Sequence, residues 1–351
     1  DNGNNTGWTF TVAPSLTYYW IGGTGNWNDG AHWSISSGGT AAGCSPSPLD
    51  DVVFDNNSFS ASGQTVTLMG NSKCRNMTWT AGVTHNPTFT GSFEMDINGD
   101  LKVLGTMTWV QNNVLYPRGD FILNENVTWN HAHYTEFFSD STNNIINTAG
   151  KGFLHRVRFD AKTTGSAPKW TLANHYKLQN TDQTTYVYEG TWETAGYDVD
   201  AGYEFRANDG NDVRTINLTG TDTLRMRNAW RIHSGVNTTL ILGNATILLL
   251  QSSGDNFFEG GNRTYRDVVV RNTDSANRTV QFTGNNNIRD VYIRITYTGF
   301  SYKLVYFDNS SIFRNIDINY SGTNDLYVYF RNGPHTINNV NVSFSSTGRP
   351  N

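Results

Sequence analysis

The chain has few charged residues, only two cysteines and five methionines, and no long hydrophobic run. Charged residues make up 16% of its 351 residues, against about a quarter in an average soluble protein. Long surface helices rich in Glu and Lys are therefore excluded. The longest aliphatic stretch, Ile247 to Leu250, is far shorter than the roughly 18 residues of a membrane-spanning helix. No transmembrane helix is predicted.

Positive charge is also scarce. The net charge is −5, the isoelectric point is near 5.9, and Lys and Arg form no run. Nucleic acids and anionic membranes attract basic patches, so neither is expected as a partner. The chain begins at Asp1 without a secretory leader pattern, and we expect it to be part of a longer protein.

The residues that are abundant favour strands and turns. Aromatic residues reach 13%, there are 34 glycines, and Asn, Thr and Ser supply most of the polar surface. These residues suit turns and strand faces and compete poorly inside helices. The composition predicts an all-β protein.

One six-residue pattern recurs, with apolar residues at its first, fourth and sixth positions and usually Asn or Asp at its third. Four strict copies start at residues 265, 288, 313 and 337, at spacings of 23, 25 and 24 residues. A further strict copy covers residues 74–79 and a looser one covers 154–159. A period near 24 with short apolar alternation is typical of one β-solenoid coil and excludes helical-hairpin repeats.

We therefore predict a right-handed parallel β-solenoid of about twelve coils over residues 61–347. A rod of stacked coils buries the alternating apolar residues on its inside. An array of β-sandwiches is the alternative fold.

The repeated Asn or Asp predicts a polar ladder along the rod. Short polar side chains hydrogen-bond the backbone of tight turns, so stacked copies are expected to form a turn ladder made of Asp267, Asp290, Asn315 and Asn339. A calcium site in each coil is the alternative. The glycine-rich repeat that builds such sites is absent.

The first 60 residues differ from the rest. Residues 1–16 resemble a linker or the tail of a preceding module, and residues 17–60 are predicted to form an N-terminal cap. A solenoid end needs protection from edge pairing. Trp20, Trp27 and Trp33 in this segment are the first candidates for exposed contact aromatics, which would stack on sugars or on a neighbouring subunit.

The two cysteines leave three possibilities open: a disulfide, half of a metal site, or two unrelated thiols. Cys44 follows a glycine-rich loop and Cys74 opens a predicted strand, with no His or third Cys nearby. A disulfide between Cys44 and Cys74 is the favoured interpretation.

The N-terminal 80 residues resemble modular surface proteins of Bacteroidota that are exported by type IX secretion and associated with gliding or adhesion. The resemblance lies in Trp20-Ile-Gly-Gly-Thr-Gly-Asn-Trp-Asn-Asp, in Pro48-Leu-Asp-Asp-Val-Val-Phe-Asp, and in Cys74-Arg-Asn-Met-Thr-Trp79. It implies an extracellular stalk or adhesive module on the bacterial surface. The acceptor pattern of this group also implies O-glycosylation at Thr223, Ser275 or Ser141.

Metal-binding candidates are weak. Asp50, Asp51 and Asp55 offer three carboxylates for calcium, but strand alternation points Asp51 away from the other two. His131 and His133 with Glu136 lack a further ligand. No cofactor is expected, and calcium is the one metal that the residues suggest.

Two classes of function remain. The repetition favours a non-catalytic structural or adhesive module whose partners are other modules of the same chain, neighbouring subunits or surface polysaccharide. The alternative is a polysaccharide-processing lyase or glycosidase, because β-helices host such enzymes. Acid pairs such as Asp200 with Glu204, or Asp209 with Asp212, would then have to face one sugar.

Overall fold

The computed structural model describes residues 14–210, 212–251, 254–273, 278–297, 302–322 and 324–345. In these residues the chain is all-β and winds into a parallel β-solenoid of about twelve turns. A single 3₁₀ turn, Gly30–His32, interrupts the strands. The predicted fold class is confirmed, and the right-handed sense of the coil stays a prediction.

The strands form four sheets. The first sheet contains β1 (Thr17–Trp20), β3 (Trp33–Ser34), β4 (Asp51–Phe54), β7 (Met77–Trp79), β10 (Leu101–Val103), β13 (Phe121–Leu123), β16 (Asn144–Asn147), β18 (Lys169–Leu172), β21 (Gly190–Glu193), β24 (Arg214–Asn217) and β27 (Thr238–Ile241). The second contains β2 (Gly25–Asn26), β5 (Thr65–Leu68), β8 (Thr88–Gly91), β11 (Thr108–Trp109) and β14 (Thr128–Trp129).

The third sheet follows the chain from one end of the described coils to the other. It contains β6 (Ser72–Cys74), β9 (Met95–Ile97), β12 (Leu115–Pro117), β15 (Thr135–Ser139), β17 (Val157–Ala161), β20 (Thr184–Val187), β23 (Glu204–Ala207), β26 (Ala229–Ile232), β29 (Asn256–Glu259), β31 (Thr279–Thr283), β33 (Lys303–Asp308) and β35 (Leu326–Arg331).

The fourth sheet contains β19 (Tyr176–Lys177), β22 (Val199–Asp200), β25 (Thr223–Met226), β28 (Thr246–Gln251), β30 (Thr264–Asn272), β32 (Asn287–Tyr297), β34 (Ile312–Gly322) and β36 (Thr336–Phe344).

Each coil passes through the sheets in a fixed order. Early coils run from the first sheet to the second and then to the third, and from β18 onwards the fourth sheet takes the place of the second. After β27 the first sheet ends, and each coil consists of one long strand of the fourth sheet and one strand of the third. The solenoid therefore changes its cross-section along its length.

The strands that begin the chain extend the same sheets. β1 pairs in parallel with β4, and β2 pairs in parallel with β5. β3 lies antiparallel to β1 at the edge of the first sheet. The chain before residue 14 lies outside the described residues.

The four strict repeats stack as their spacing predicts. Tyr265 pairs with Ile288, Ile288 with Phe313, and Phe313 with Ile337, all in parallel register. The alternating apolar residues point inward and form one continuous core. In the third sheet this core contains an aromatic column of Phe258, Phe282, Phe307 and Phe330, with neighbouring ring centroids 5.4, 4.9 and 5.0 Å apart.

The predicted polar ladder lies in register, but it does not lie in turns. Asp267, Asp290, Asn315 and Asn339 occupy successive positions within the long strands of the fourth sheet. Each follows an outward residue that takes no part in the pairing register, so the strand bends at this point. Asn315 donates to Asp290, and Asn339 donates to Asn315 at 2.9 Å.

Arginine side chains separate the two stacked acids of this ladder. The guanidinium of Arg289 bonds both Asp267, at 2.8 Å, and Asp290, at 2.9 Å, and Arg314 bonds Asp290 at 2.6 Å. Like charges stacked at strand spacing repel one another. The arginines provide the cationic bridge that two neighbouring aspartates require.

A second ladder lies at the entry to the first sheet, where no repeat signalled it. Asn76 Oδ1 accepts the Asp100 N–H at 2.8 Å, Asp100 Oδ1 accepts the Asp120 N–H at 2.9 Å, and Asp120 Oδ1 accepts the Ile145 N–H at 2.9 Å. Asp51 begins this series by accepting from Asn76 Nδ2 at 2.8 Å. Each coil is thereby tied to the next at this corner.

The ladder predicts a stability loss in acid that is specific to Asp290. Burial alone would raise the pKa of Asp290, but bonds from Arg314, Asn315 and Arg289 outweigh it and hold the pKa below its usual value. The stability that Asp290 contributes is therefore present above about pH 4 and is lost as the pH falls through the lowered folded pKa. Asp290→Asn should cost about 1–3 kcal/mol at pH 7.

Urea unfolding of wild type and variant at neutral and acid pH measures this effect. The difference between Asp290→Asn and wild type should shrink as the pH falls, whereas the exposed control Asp222→Asn should show a small and constant difference. A difference for Asp290→Asn that does not change with pH would contradict the assignment.

Candidate functional site

The outer face of the third sheet carries a row of aromatic and arginine side chains, which we name the aromatic–arginine stripe. Strand alternation turns these residues outward while their neighbours fill the core. All are half-buried except Tyr329, which is exposed. The stripe consists of Tyr116, Arg118, Tyr134, Arg156, Phe138, Arg158, Tyr186, Tyr188, Arg206, Arg231, Phe257, Tyr306, Tyr329 and Arg331.

The parallel register brings these side chains together from coils that are distant in sequence. Glu136 pairs with Arg158, Arg158 with Tyr186, and Tyr186 with Arg206. Arg206 in turn pairs with Arg231. Successive strands stack about 4.8 Å apart, so the stripe repeats along the rod at the spacing of the coils.

In the earlier coils, guanidinium groups lie over aromatic rings. Arg158 lies 4.9 Å from the ring centroid of Phe138 and 4.3 Å from that of Tyr188. The rings of Tyr186 and Tyr188 are stacked with centroids 5.7 Å apart, and Phe138 stacks on Tyr116 at 5.8 Å. Such cation–π and ring contacts hold long side chains in fixed positions on the surface.

The later coils repeat the arrangement with other residues. Arg231 lies 5.3 Å from the ring centroid of Phe257, and Arg331 lies 3.6 Å from that of Tyr306. Tyr306 stacks on Tyr329 at 5.3 Å. The stripe therefore extends from β12 to β35.

Carboxylates accompany the arginines. Arg118 makes two bonds to Asp96, at 2.8 and 3.1 Å, and Arg156 bonds Glu136 at 2.6 Å. Arg158 bonds Asp160 at 2.5 Å. Burial nevertheless raises the pKa of Asp160, because desolvation outweighs the bond to Arg158.

The stripe offers a ligand ring edges, tyrosine hydroxyls and guanidinium N–H groups in a periodic row. Apart from Leu304, the described strands of the third sheet turn no branched aliphatic side chain outward. A protein partner usually buries an apolar core. The periodic polar and aromatic surface fits a repeating polymer rich in hydroxyl groups better than it fits a protein.

A separate cleft of about 390 Å³ lies at the start of the fourth sheet. Lys177, Asp200 and Arg225 occupy equivalent positions on three successive coils, and His175 and Asp198 complete the charged lining. Asp200 lies 3.7 Å from Arg227, and Asp198 accepts the Thr223 N–H at 2.9 Å. The cleft brings acids and bases together at one point.

The predicted contact aromatics are in the wrong place for contact. Trp20, Trp27 and Trp33 are at most 1% exposed. The ring of Trp33 lies edge-on to the other two, with centroids 4.9 Å away in each case, and all three pack near Phe54. They fill the interior of the first coil, so the prediction that they bind sugars or a subunit is wrong.

The predicted disulfide is also wrong, because Cys44 and Cys74 are both free thiols. Cys74 points inward from β6 and is fully buried, whereas Cys44 lies exposed on the preceding loop and contacts the Tyr18 hydroxyl at 3.2 Å. That hydrogen bond, with burial, raises the pKa of Tyr18 to about 12. Burial raises the pKa of the Cys74 thiol well above its usual value.

The two thiols should differ in reactivity. Thiolate is the reactive form, so an inward thiol with a raised pKa is protected. We expect one thiol per chain, Cys44, to react with a maleimide or a chromogenic disulfide in the native protein, and two in denaturant. Two reactive native thiols, or none, would contradict this placement.

The calcium candidates are already engaged by other groups. Asp50 accepts the N–H groups of Leu16 and Ser47, each at 2.8 Å, and Asp55 accepts the Asn57 N–H at 2.9 Å. Asp51 bonds Arg75 and Asn76. No group of three or more His, Cys, Asp or Glu side chains suited to a metal occurs in the described part of the chain.

The histidines of the 131–136 segment do not converge either. His131 is buried with its ring nitrogens 3.0 and 3.1 Å from the carbonyl oxygens of Gln111 and Tyr134, and burial lowers its pKa to about 4. His133 is half-buried, and Glu136 pairs with Arg156.

The acid pairs considered for catalysis are separated by the fold. Asp200 lines the fourth-sheet cleft, whereas Glu204 faces outward on the third sheet beside Arg231. The backbone carbonyls of Asp209 and Asp212 bind the guanidinium of Arg214. Neither pair forms one site.

Among the glycosylation candidates, Ser141 is exposed and Thr223 is half-buried in β25. Ser275 lies outside the described residues. Modification of these residues stays a prediction.

No known protein family, curated protein or solved structure matches this chain. Across the residues that the structure describes, no helix has the length and hydrophobicity needed to cross a membrane. The function therefore has to be argued from the stripe and the cleft.

Proposed function

We propose that the protein is a non-catalytic structural and adhesive module of a secreted bacterial cell-surface or filament protein, and that its stripe binds surface polysaccharide. The observation that carries the proposal is the periodic row of aromatic and arginine side chains along the third sheet. The solenoid supplies length and rigidity. The predicted N-terminal cap, type IX export and O-glycosylation belong to this proposal through the sequence resemblance.

Rigid aromatic surfaces suit sugars because a ring is apolar and costs little conformational entropy when it binds. The stripe rings are held by guanidinium groups and by one another, so they are positioned before a ligand arrives. A row that repeats with every coil can contact many units of a polymer at once, and weak contacts then add up.

The experiment compares Tyr186→Ala on the stripe with Tyr292→Ala on the outer face of the fourth sheet. Both tyrosines are half-buried outward strand residues. Affinity electrophoresis in gels containing polysaccharides should show that Tyr186→Ala weakens binding by up to about tenfold. Tyr292→Ala should bind as wild type does.

Equal binding by both variants would contradict the stripe as the binding surface. If no polysaccharide binds and Tyr186→Ala instead abolishes self-association in analytical ultracentrifugation, the stripe is a protein interface and the proposal is wrong.

The fourth-sheet cleft supports a second candidate, a polysaccharide-processing enzyme. Asp198, Asp200, Lys177 and Arg225 line one cavity, and acids with basic groups at one point are what sugar chemistry requires. Release of new reducing ends from a bound polysaccharide, abolished by Lys177→Ala, would establish this function. Unchanged polymer length supports the non-catalytic module.

A further inference from the structure

We infer that the polysaccharide held by the stripe is uncharged, with neither uronate nor sulfate groups at the contact. The inference rests on the proposed polysaccharide-binding function and names its ligand class. It follows from how the charges of the third sheet are already used.

Every cationic side chain that the described structure places on or beside the stripe has a carboxylate partner within 4 Å. Asp96 serves both Arg118, at 2.8 Å, and Lys73, at 3.5 Å. Glu204 lies 3.5 Å from both Arg206 and Arg231. The full set of pairs is Lys73–Asp96, Arg118–Asp96, Arg156–Glu136, Arg158–Asp160, Arg206–Glu204, Arg231–Glu204, Arg231–Glu259 and Arg331–Asp308.

The carboxylates of these pairs are held in place. The side chains of Asp96 and Glu136 are 13% and 8% exposed, and that of Asp308 is 5% exposed. Arg331 makes two bonds of 2.8 Å to Asp308. Arginine bonds of this two-pronged kind are geometrically specific, so a ligand cannot exchange the protein carboxylate for its own without losing both.

The π faces of the arginines are engaged as well. The guanidinium of Arg156 lies 3.9 Å from the ring centroid of Tyr134, and that of Arg331 lies 3.6 Å from the ring centroid of Tyr306. A sulfate or uronate would therefore meet cations that are already neutralised and would lie next to fixed carboxylates. Like charges repel at this distance.

Sugar hydroxyl groups meet no such penalty. A hydroxyl both donates and accepts, so it can donate to the outer lone pairs of the carboxylates and accept from guanidinium N–H groups and tyrosine hydroxyls. Binding of this kind releases few counterions and depends weakly on salt.

The test uses polymer pairs that share a backbone and differ in charge: hydroxyethyl cellulose with carboxymethyl cellulose, fully methyl-esterified pectin with polygalacturonate, and dextran with dextran sulfate. The neutral member of any pair that binds should bind about tenfold more tightly than its charged partner. Its affinity should change less than about twofold between low salt and about 0.2 M salt.

Glu204→Gln sharpens the test because it removes the carboxylate that Arg206 and Arg231 share. The ratio of charged-partner to neutral-partner affinity should rise about threefold or more in this variant. Glu125→Gln, an exposed control outside the third sheet, should leave the ratio as in wild type.

The outcomes are distinguishable. Tighter binding of the charged members, with affinity that falls as salt rises, would overturn the inference and leave the proposed polysaccharide binding intact. Failure of every polymer to bind would overturn the proposed function itself, and the inference with it.

Discussion

Replacing Arg214 by methionine should destabilise the protein by about 3 kcal/mol, one of the largest effects of any single substitution outside the hydrophobic core. Arg214 points inward from β24 and is 1% exposed. Its guanidinium donates to the carbonyl oxygens of Val187 at 3.1 Å, Asp209 at 2.6 Å, Asp212 at 3.3 Å and Gly210 at 3.4 Å.

The cost arises from the carbonyl groups that methionine leaves unpaired. A buried acceptor without a donor costs about 1–3 kcal/mol, whereas replacing both partners by apolar groups can be neutral. The carbonyls belong to the backbone and cannot be replaced. Burial also lowers the pKa of Arg214, which shows that its charge is held in the interior by these bonds.

Guanidinium unfolding measures the effect, with Arg225→Met as the matched control. Arg225 is exposed on β25, and its replacement should change the free energy of unfolding by less than about 0.5 kcal/mol. A loss below about 1 kcal/mol for Arg214→Met would show that the carbonyl bonds contribute little.

Phe282→Ala should cost about 3–5 kcal/mol. Phe282 lies in the middle of the aromatic column of the third sheet, between Phe258 and Phe307, and is 2% exposed. The cavity left by the ring would weaken the contact of one coil with both of its neighbours. In a solenoid such contacts between adjacent coils carry much of the stability.

The same column provides the control. Phe330 ends the column and is 40% exposed, so Phe330→Ala removes ring contacts on one side only and should cost about 1 kcal/mol. Equal losses for the two variants in guanidinium unfolding would contradict the column as the carrier of coil-to-coil stability.

The stacking of the late coils could be predicted from the sequence, because four copies of one pattern recur at nearly equal spacing. Tyr265, Ile288, Phe313 and Ile337 occupy the equivalent inward position that the period required. The Asp51–Asn76–Asp100–Asp120 ladder was not predicted. Its members fall at unequal spacings, and only the three-dimensional register reveals that each bonds the next coil.

The outward or inward direction of a side chain was the main source of error. Strand alternation says which residues share a face but not which face is buried, so Trp20, Trp27 and Trp33 were placed outside when they fill the first coil. The stripe was missed for a related reason. Tyr116, Phe138, Arg158, Tyr186 and Arg206 recur every 20 to 28 residues, and that spacing becomes a signal only when the outward positions of the third sheet are known.

The most direct test of the central claim is a crystal structure of the protein with a neutral hexasaccharide, taken from cello-, manno- and xylo-oligosaccharides by prior binding. The account predicts the sugar along the third sheet, in contact with the rings of Tyr186 and Phe257, with every glycosidic bond intact. A sugar bound instead in the cleft between Lys177 and Arg225, or cleaved there, would contradict the account.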